Sequence, residues 1–166
     1  GTQGNGPSDG ASLDGSGTVV AFRSQASNFS SIDANSASDV FVRDTAAQST
    51  TTISQVEGQT GNGASGVASS TIRPTHTSPN GRFVAFSSAA DDLGPADSNG
   101  EVDVYVYDRD QDSFRLMSLA GSVIQGNDRS EGAAVSDDGD YCAFSTLSNN
   151  FGTSDTNSVL DVYVRN

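Results

Sequence analysis

The sequence predicts an all-β fold in which one antiparallel unit is written three times. Three observations predict it. Residues 22–44, 86–108 and 144–166 align without a gap, the copies starting 64 and 58 residues apart. Apolar residues come in short strand-like runs, VVAF, FVAF and YCAF and then DVFV, DVYV and DVYV, with no helical stripe. Gly and Ser are abundant, as suits many short strands and turns. The apolar fraction of 34% is low, and so polar and acidic a chain would suit disorder were the runs not so regular.

Each copy resolves into four strands in order. The first is weak and precedes a turn: residues 10–13, 73–77 and 133–136. The turns end in Gly17, Gly81 and Gly139, where glycine supplies the positive φ of a tight hairpin. The second strand is the apolar run 18–22, 82–86 or 140–144, unbroken as in a strand covered on both faces. A loop follows, pinned by Phe29, Leu93 or Phe151, and each pin is expected to fold back and seal the end of its sheet. The third strand, 40–42, 104–106 or 162–164, alternates Val with an aromatic, so Val faces one way and Phe41, Tyr105 or Tyr163 the other. The fourth is 50–54 or 114–119 and has no counterpart in the third copy. Residues 57–65 and 121–130 read as loops crossing to the next sheet. Four-stranded antiparallel units at this spacing are the blades of a β-propeller. The expectation is one domain over residues 1–166, with repeats at about 5–60, 65–120 and 125–166 and the last blade incomplete.

The run S-x-D/N-G-x-x-V-A-F, followed by D-x-N-x-x-x-D-V-F/Y-V-R-D, resembles the TolB-type, WD40-like β-propeller repeat. The match lies in Ser78-Pro79-Asn80-Gly81 with Phe83-Val84-Ala85-Phe86, and in Asp97-Ser98-Asn99 with Asp103-Val104-Tyr105-Val106-Tyr107-Asp108. The third copy matches through Ser136-Asp137-Asp138-Gly139 and residues 155–165. The first departs at its turn, where Asp14-Gly15-Ser16-Gly17 changes the spacing to Ser12. The resemblance implies the fold and leaves function open, because such propellers serve as periplasmic scaffolds, peptidase-gating domains, carbohydrate-handling domains and surface proteins. An extracellular, cell-surface or periplasmic location is expected.

The net charge is −13 and all eight basic residues are Arg. That balance disfavours nucleic acid and anionic membranes as partners, since both need positive charge. It favours cations. No apolar run approaches a membrane span. The single Cys142 replaces the Val20 and Val84 of the other copies and reads as a small buried apolar group.

The repeated acidic loop carries the chemistry that remains. Asp33/Asn35/Asp39, Asp97/Asn99/Asp103 and Asp155/Asn157/Asp161 place oxygen ligands at close spacing, as Ca²⁺ sites do. The same pattern also makes an Asx turn whose last Asp braces a strand. Both readings stand. No catalytic set is visible: His76 is the only His, no nucleophile elbow occurs, and Asp91-Asp92 and Asp137-Asp138 read as solvated turn charges. Asn28-Phe29-Ser30 is a glycosylation sequon.

The expectation is therefore a non-catalytic, extracytoplasmic β-propeller module, structural or binding, with Ca²⁺ as a candidate cofactor. A propeller closes with four to eight blades. Fewer than three complete ones leave apolar faces and a strand edge open, so self-association by ring completion or strand donation is expected, in a ring or a filament. The alternatives are a fragment or accessory domain of a larger propeller enzyme, and a carbohydrate-binding propeller using Tyr105, Tyr107 and Tyr163.

Overall fold

The computed structural model describes residues 3–33, 35–67, 75–94, 97–152 and 155–166. Every regular element among them is a β-strand, and no described helix is long and apolar enough to cross a membrane. Blade 1 is β1 (Ser8–Leu13), β2 (Val19–Ser24), β3 (Asp39–Asp44) and β4 (Ser49–Thr52), hydrogen-bonded in that order. A small hairpin, β5 (Gln55–Val56) and β6 (Gln59–Thr60), leads to blade 2. Blade 2 repeats the meander with β7 (Thr75–Thr77), β8 (Phe83–Ser88), β9 (Asp103–Asp108) and β10 (Ser113–Leu116). A second hairpin, β11 (Leu119–Ala120) and β12 (Ile124–Gln125), precedes the three strands of blade 3: β13 (Ser130–Val135), β14 (Cys142–Thr146) and β15 (Asp161–Arg165). All pairs are antiparallel. This is the expected propeller architecture.

Period-two alternation gives each sheet two unlike faces. One carries Val and Ala and the other carries aromatics. The Val face of blade 1 (Val19, Ala21, Val40, Val42, Ile53) packs on the aromatic face of blade 2 (Phe86, Leu93, Tyr105, Tyr107, Phe114). The opposite face of blade 2 (Phe83, Ala85, Val104, Val106, Met117) packs in the same way on Phe144, Phe151 and Tyr163 of blade 3. The loop pins fold back as expected. Phe29 meets Phe22 and Phe41 edge-on at centroid distances of 5.8 and 5.5 Å, and Phe151 meets Phe144 at 5.7 Å and Tyr163 at 5.1 Å.

The first strands of the blades lie side by side. Thr75 Oγ1 donates to Gly10 O at 2.6 Å and Thr77 N to Ser12 Oγ at 2.9 Å. The following turns also stack, with Gly15 N donating to Pro79 O at 2.7 Å and Asn80 N to Asp137 Oδ1 at 2.9 Å. Glycine is required at Gly139, where φ is +76° and a Cβ would stand 2.5 Å from the Phe83 ring.

Several expectations need correction. The unbroken apolar run is covered on both faces only in blade 2, where all of β8 is buried; β2 and β14 alternate with half-buried residues because their blades lie at the ends. The fourth strands stop at Thr52 and Leu116 because Ile53 and Met117 leave the ladder to bond Val40 O and Val104 O. The links expected to be loops carry hairpins, and the first turns through Glu57 and Gly58, both at positive φ, as a two-residue turn demands. The first-copy turn keeps its register and exchanges roles. Asp14 accepts from Val19 N where Ser78 and Ser136 accept from Phe83 N and Tyr141 N, and Ser16 stands where Asn80 and Asp138 pair with those serines. Arg73 and Pro74, expected in the first strand of the second copy, lie outside the described residues.

Candidate functional site

The acidic loop joins the second strand of each blade to the third. Its Asn makes the same turn three times: Asn35, Asn99 and Asn157 Oδ1 accept from Ala37, Glu101 and Val159 N at 2.8, 2.8 and 3.0 Å. The amide nitrogen ties the loop to the link ahead. Asn35 Nδ2 donates to Gly61 O at 2.7 Å, and Asn99 Nδ2 to Gly126 O at 2.8 Å. Each link is then clamped from the other side. Asn62 N donates to Asp92 at 3.0 Å and Asn127 N to Asn150 at 3.2 Å. Asn5, ahead of blade 1, donates in the same way to Asn28 Oδ1 at 2.9 Å. The runs Gly4-Asn5-Gly6, Gly61-Asn62-Gly63 and Gly126-Asn127-Asp128 are thus one repeated clasp, which sequence reasoning missed. Its signal was the recurring Gly-Asn pair ahead of each first strand.

The last Asp of each loop opens the third strand. Asp39 and Asp103 are fully buried. Ser54 and Ser118 each donate to one of these carboxylates while accepting the N–H of Val40 and Val104 at 3.0 Å. Burial pushes both carboxyls up to about 6 against the pull of those serine hydroxyls, and the neighbouring Asp33 or Asp97 charge adds to the rise. In blade 2 the amide of Gln125 settles the two acids, donating to Asp97 Oδ1 at 2.7 Å and Asp103 Oδ2 at 3.0 Å, while Tyr105 OH donates to Asp97 Oδ2 at 2.6 Å. Blade 1 has Phe41 in place of Tyr105 and Thr60 in place of Gln125, and Asp39 Oδ2 is buried with no hydrogen-bond partner. In blade 3 Asp155 Oδ1 accepts from Asn157 N at 3.1 Å, and Asp161 is half-buried. The loops of blades 1 and 2 each bring together two carboxylates and an amide. Among the described residues no group of three or more His, Cys, Asp or Glu side chains converges.

The other singled-out residues serve the framework. His76 Nδ1 accepts from Val135 N at 3.2 Å, joining the innermost strands of blades 2 and 3. Asp91 and Asp92 hold Asn62, and Asp137 holds Asn80. Tyr105 and Tyr107 are buried between blades and offer no ring face to a sugar. Burial pushes the Cys142 thiol up to about 12, leaving it inert at neutral pH. Asn28 is exposed, but its amide already donates to Gln3 O at 2.8 Å.

The end blades differ from the middle. On the Val face of blade 3, Val162 is 74% and Val164 68% exposed, whereas Val104 and Val106 in blade 2 are fully buried. At the other end, the aromatic face of blade 1 leaves Phe22 and Phe29 half-buried and Leu13 61% exposed. Gly81 and Gly139 lean on the preceding blade, while a Cβ on Gly17 would meet nothing within 4 Å.

No protein-family model matches the chain, and no curated protein matches it. Solved structures do. The TolB of Acinetobacter baumannii is similar at a TM-score of 0.51 and 16% identity over 96% of this chain and 29% of that one. The tricorn protease matches at 0.52 and 15% over 98% of this chain and 13% of its own. A TolB-like protein of Agrobacterium tumefaciens matches at 0.51 and 13% over 96% and 58%. The fold is that of TolB-like β-propellers, and the chain spans less than two thirds of each of these proteins.

Proposed function

We propose that the chain is a non-catalytic, extracytoplasmic β-propeller module with a structural role, and that copies of it add head to tail. The Val face of blade 3 in one copy would cover the aromatic face of blade 1 in the next. One observation carries this reading: the chain already makes that interface twice, from blade 1 to 2 and from blade 2 to 3, and its free ends are the two matching halves. Heterologous addition of this kind closes a ring or grows a filament. Two copies would supply about six blades, inside the range at which propellers close.

The contacts of such a junction follow from those within the chain. Val19 and Phe83 lie against Gly81 and Gly139, so Tyr141 would lie against Gly17 of the next copy. Ser65 N donates to Ser38 O and Ser130 N to Val102 O, each at 2.7 Å, so Ser8 N would donate to Leu160 O. Asn157 Nδ2 would reach Gly4 O, as Asn35 reaches Gly61. The acidic surface keeps such an assembly soluble and supports a location away from nucleic acid.

A second reading is favoured by the small share of each similar structure that the chain spans. Here the three repeats are part of a longer propeller, including one attached to an enzyme, whose next blades cover the same faces. Sedimentation velocity from low to high micromolar concentration separates the two. Reversible association that Val162→Asp abolishes is expected. A folded monomer at every concentration would overturn head-to-tail addition and leave the longer-propeller reading.

A further inference from the structure

We propose that the acidic loop of blade 1, and not that of blade 2, binds one Ca²⁺ ion between Asp33 and Asp39, at the place the Gln125 amide fills in blade 2. The two loops are near-copies, and the difference between them points to a cation. In blade 2, one amide nitrogen lies within hydrogen-bond distance of Asp97 Oδ1 and Asp103 Oδ2 together, which marks where the carboxylates converge. A tyrosine hydroxyl serves the remaining oxygen of Asp97. Both donors are substituted in blade 1. Gly61 N and Gly126 N bond Ser54 O and Ser118 O identically, at 3.0 Å, which puts Thr60 in register with Gln125, and the threonine side chain is much shorter. Phe41, with no hydroxyl, replaces Tyr105.

The carboxylates themselves are retained. Asp39 is fully buried, its Oδ1 is held by Ser54 at 2.9 Å, and its Oδ2 is buried without a hydrogen-bond partner. Asp33 lies close enough for its charge to act on Asp39. A buried carboxylate oxygen left unpaired is costly, and a second carboxylate beside it adds repulsion. A cation relieves both.

The ligand set selects among metals. It is all oxygen, with no thiolate and no imidazole, which suits a hard cation. Two carboxylates on an irregular loop, completed by water, fit the loose six-to-eight-oxygen shell of Ca²⁺ better than the strict octahedron of Mg²⁺. So few protein charges imply affinity at the weak end, a dissociation constant of roughly 10⁻⁴ to 10⁻³ M. The head-to-tail assembly proposed above is not needed for this inference.

Isothermal titration of the full chain with CaCl₂, after chelation, tests it. The expected result is one site per chain, with weaker heats for MgCl₂. Asp33→Asn, at a half-buried position, is expected to abolish binding, and Asp97→Asn to leave it intact. Thr60→Gln supplies the blade 2 amide and is expected to remove the Ca²⁺ response while the circular dichroism spectrum stays unchanged. No heat at millimolar Ca²⁺, two or three equivalent sites, or unaltered binding by Asp33→Asn or Thr60→Gln would each overturn the proposal.

Discussion

Blade 2 and blade 3 share the Asp-Val-Tyr-Val run of their third strands and sit in opposite surroundings. In blade 2, Val104 and Val106 are sealed beneath the next sheet, and in blade 3 the matching Val162 and Val164 stand 74% and 68% exposed. The residues are the same, so the difference lies in what comes next in space. Burying a valine contributes roughly 1.5–3 kcal/mol, which blade 2 collects inside the chain and blade 3 does not. A repeat of this kind carries its own interface, and its stability is a property of neighbours more than of the single sheet.

The largest effect that probes this contrast is a charge at matched positions. Val104→Asp buries an unpaired carboxylate and is expected to prevent folding, read as loss of the β-sheet circular dichroism signal. Val162→Asp is expected to leave the monomer folded, with a melting temperature within a few degrees of the parent. Equal damage at both sites would remove the distinction between covered and open faces.

Next comes pH, which compares the acidic loops. Asp39 and Asp103 are raised from 3.8 to about 6, first by burial. A carboxyl whose folded pKa lies above its unfolded value binds protons more tightly when folded. Stability therefore falls as pH rises from about 4 to about 6 and levels off above that, by up to about 3 kcal/mol for each group. In chelator, the urea midpoint is expected to be higher at pH 5 than at pH 7.5. If Ca²⁺ holds Asp39 ionised, adding it at pH 7.5 should shrink the difference.

The smallest expected effect concerns the clasp. Asn99→Ala removes the tie to Gly126 and is expected to cost about 1 kcal/mol in denaturant unfolding. Asn157→Ala is expected to change monomer stability little and to weaken association, because in the proposed head-to-tail assembly its partner link would belong to the next copy.

The fold was legible because its signals are periodic. Phe22, Phe86 and Phe144 set the register, the Val-aromatic alternation named the faces, and the pins at Phe29, Leu93 and Phe151 landed where their spacing put them. The hairpins in the links were not legible, being two-residue strands without an apolar pattern. The role exchange at Asp14 and Ser16 was hidden because a carboxylate and a hydroxyl can both accept a backbone N–H. In the acidic loops the sequence exposed the carboxylates but not what faces them. Gln125 lies in a link whose spacing slips by one residue between copies, 26 against 27 from Asn to Gly, so counting forward from the acidic loops does not pair it with Thr60.

Head-to-tail addition requires that the free faces of blades 1 and 3 fit each other, and disulfide trapping reads that fit between copies. Ser65 and Ser38 meet within the chain at 2.7 Å, N to O, so Ser8 and Leu160 should meet between copies. Cys142 is buried and does not compete. Oxidation of the Ser8→Cys/Leu160→Cys double variant is expected to give a covalent dimer or a ladder on a non-reducing gel, and each single variant far less. A monomer band alone, under conditions that oxidise free thiols, would contradict head-to-tail addition.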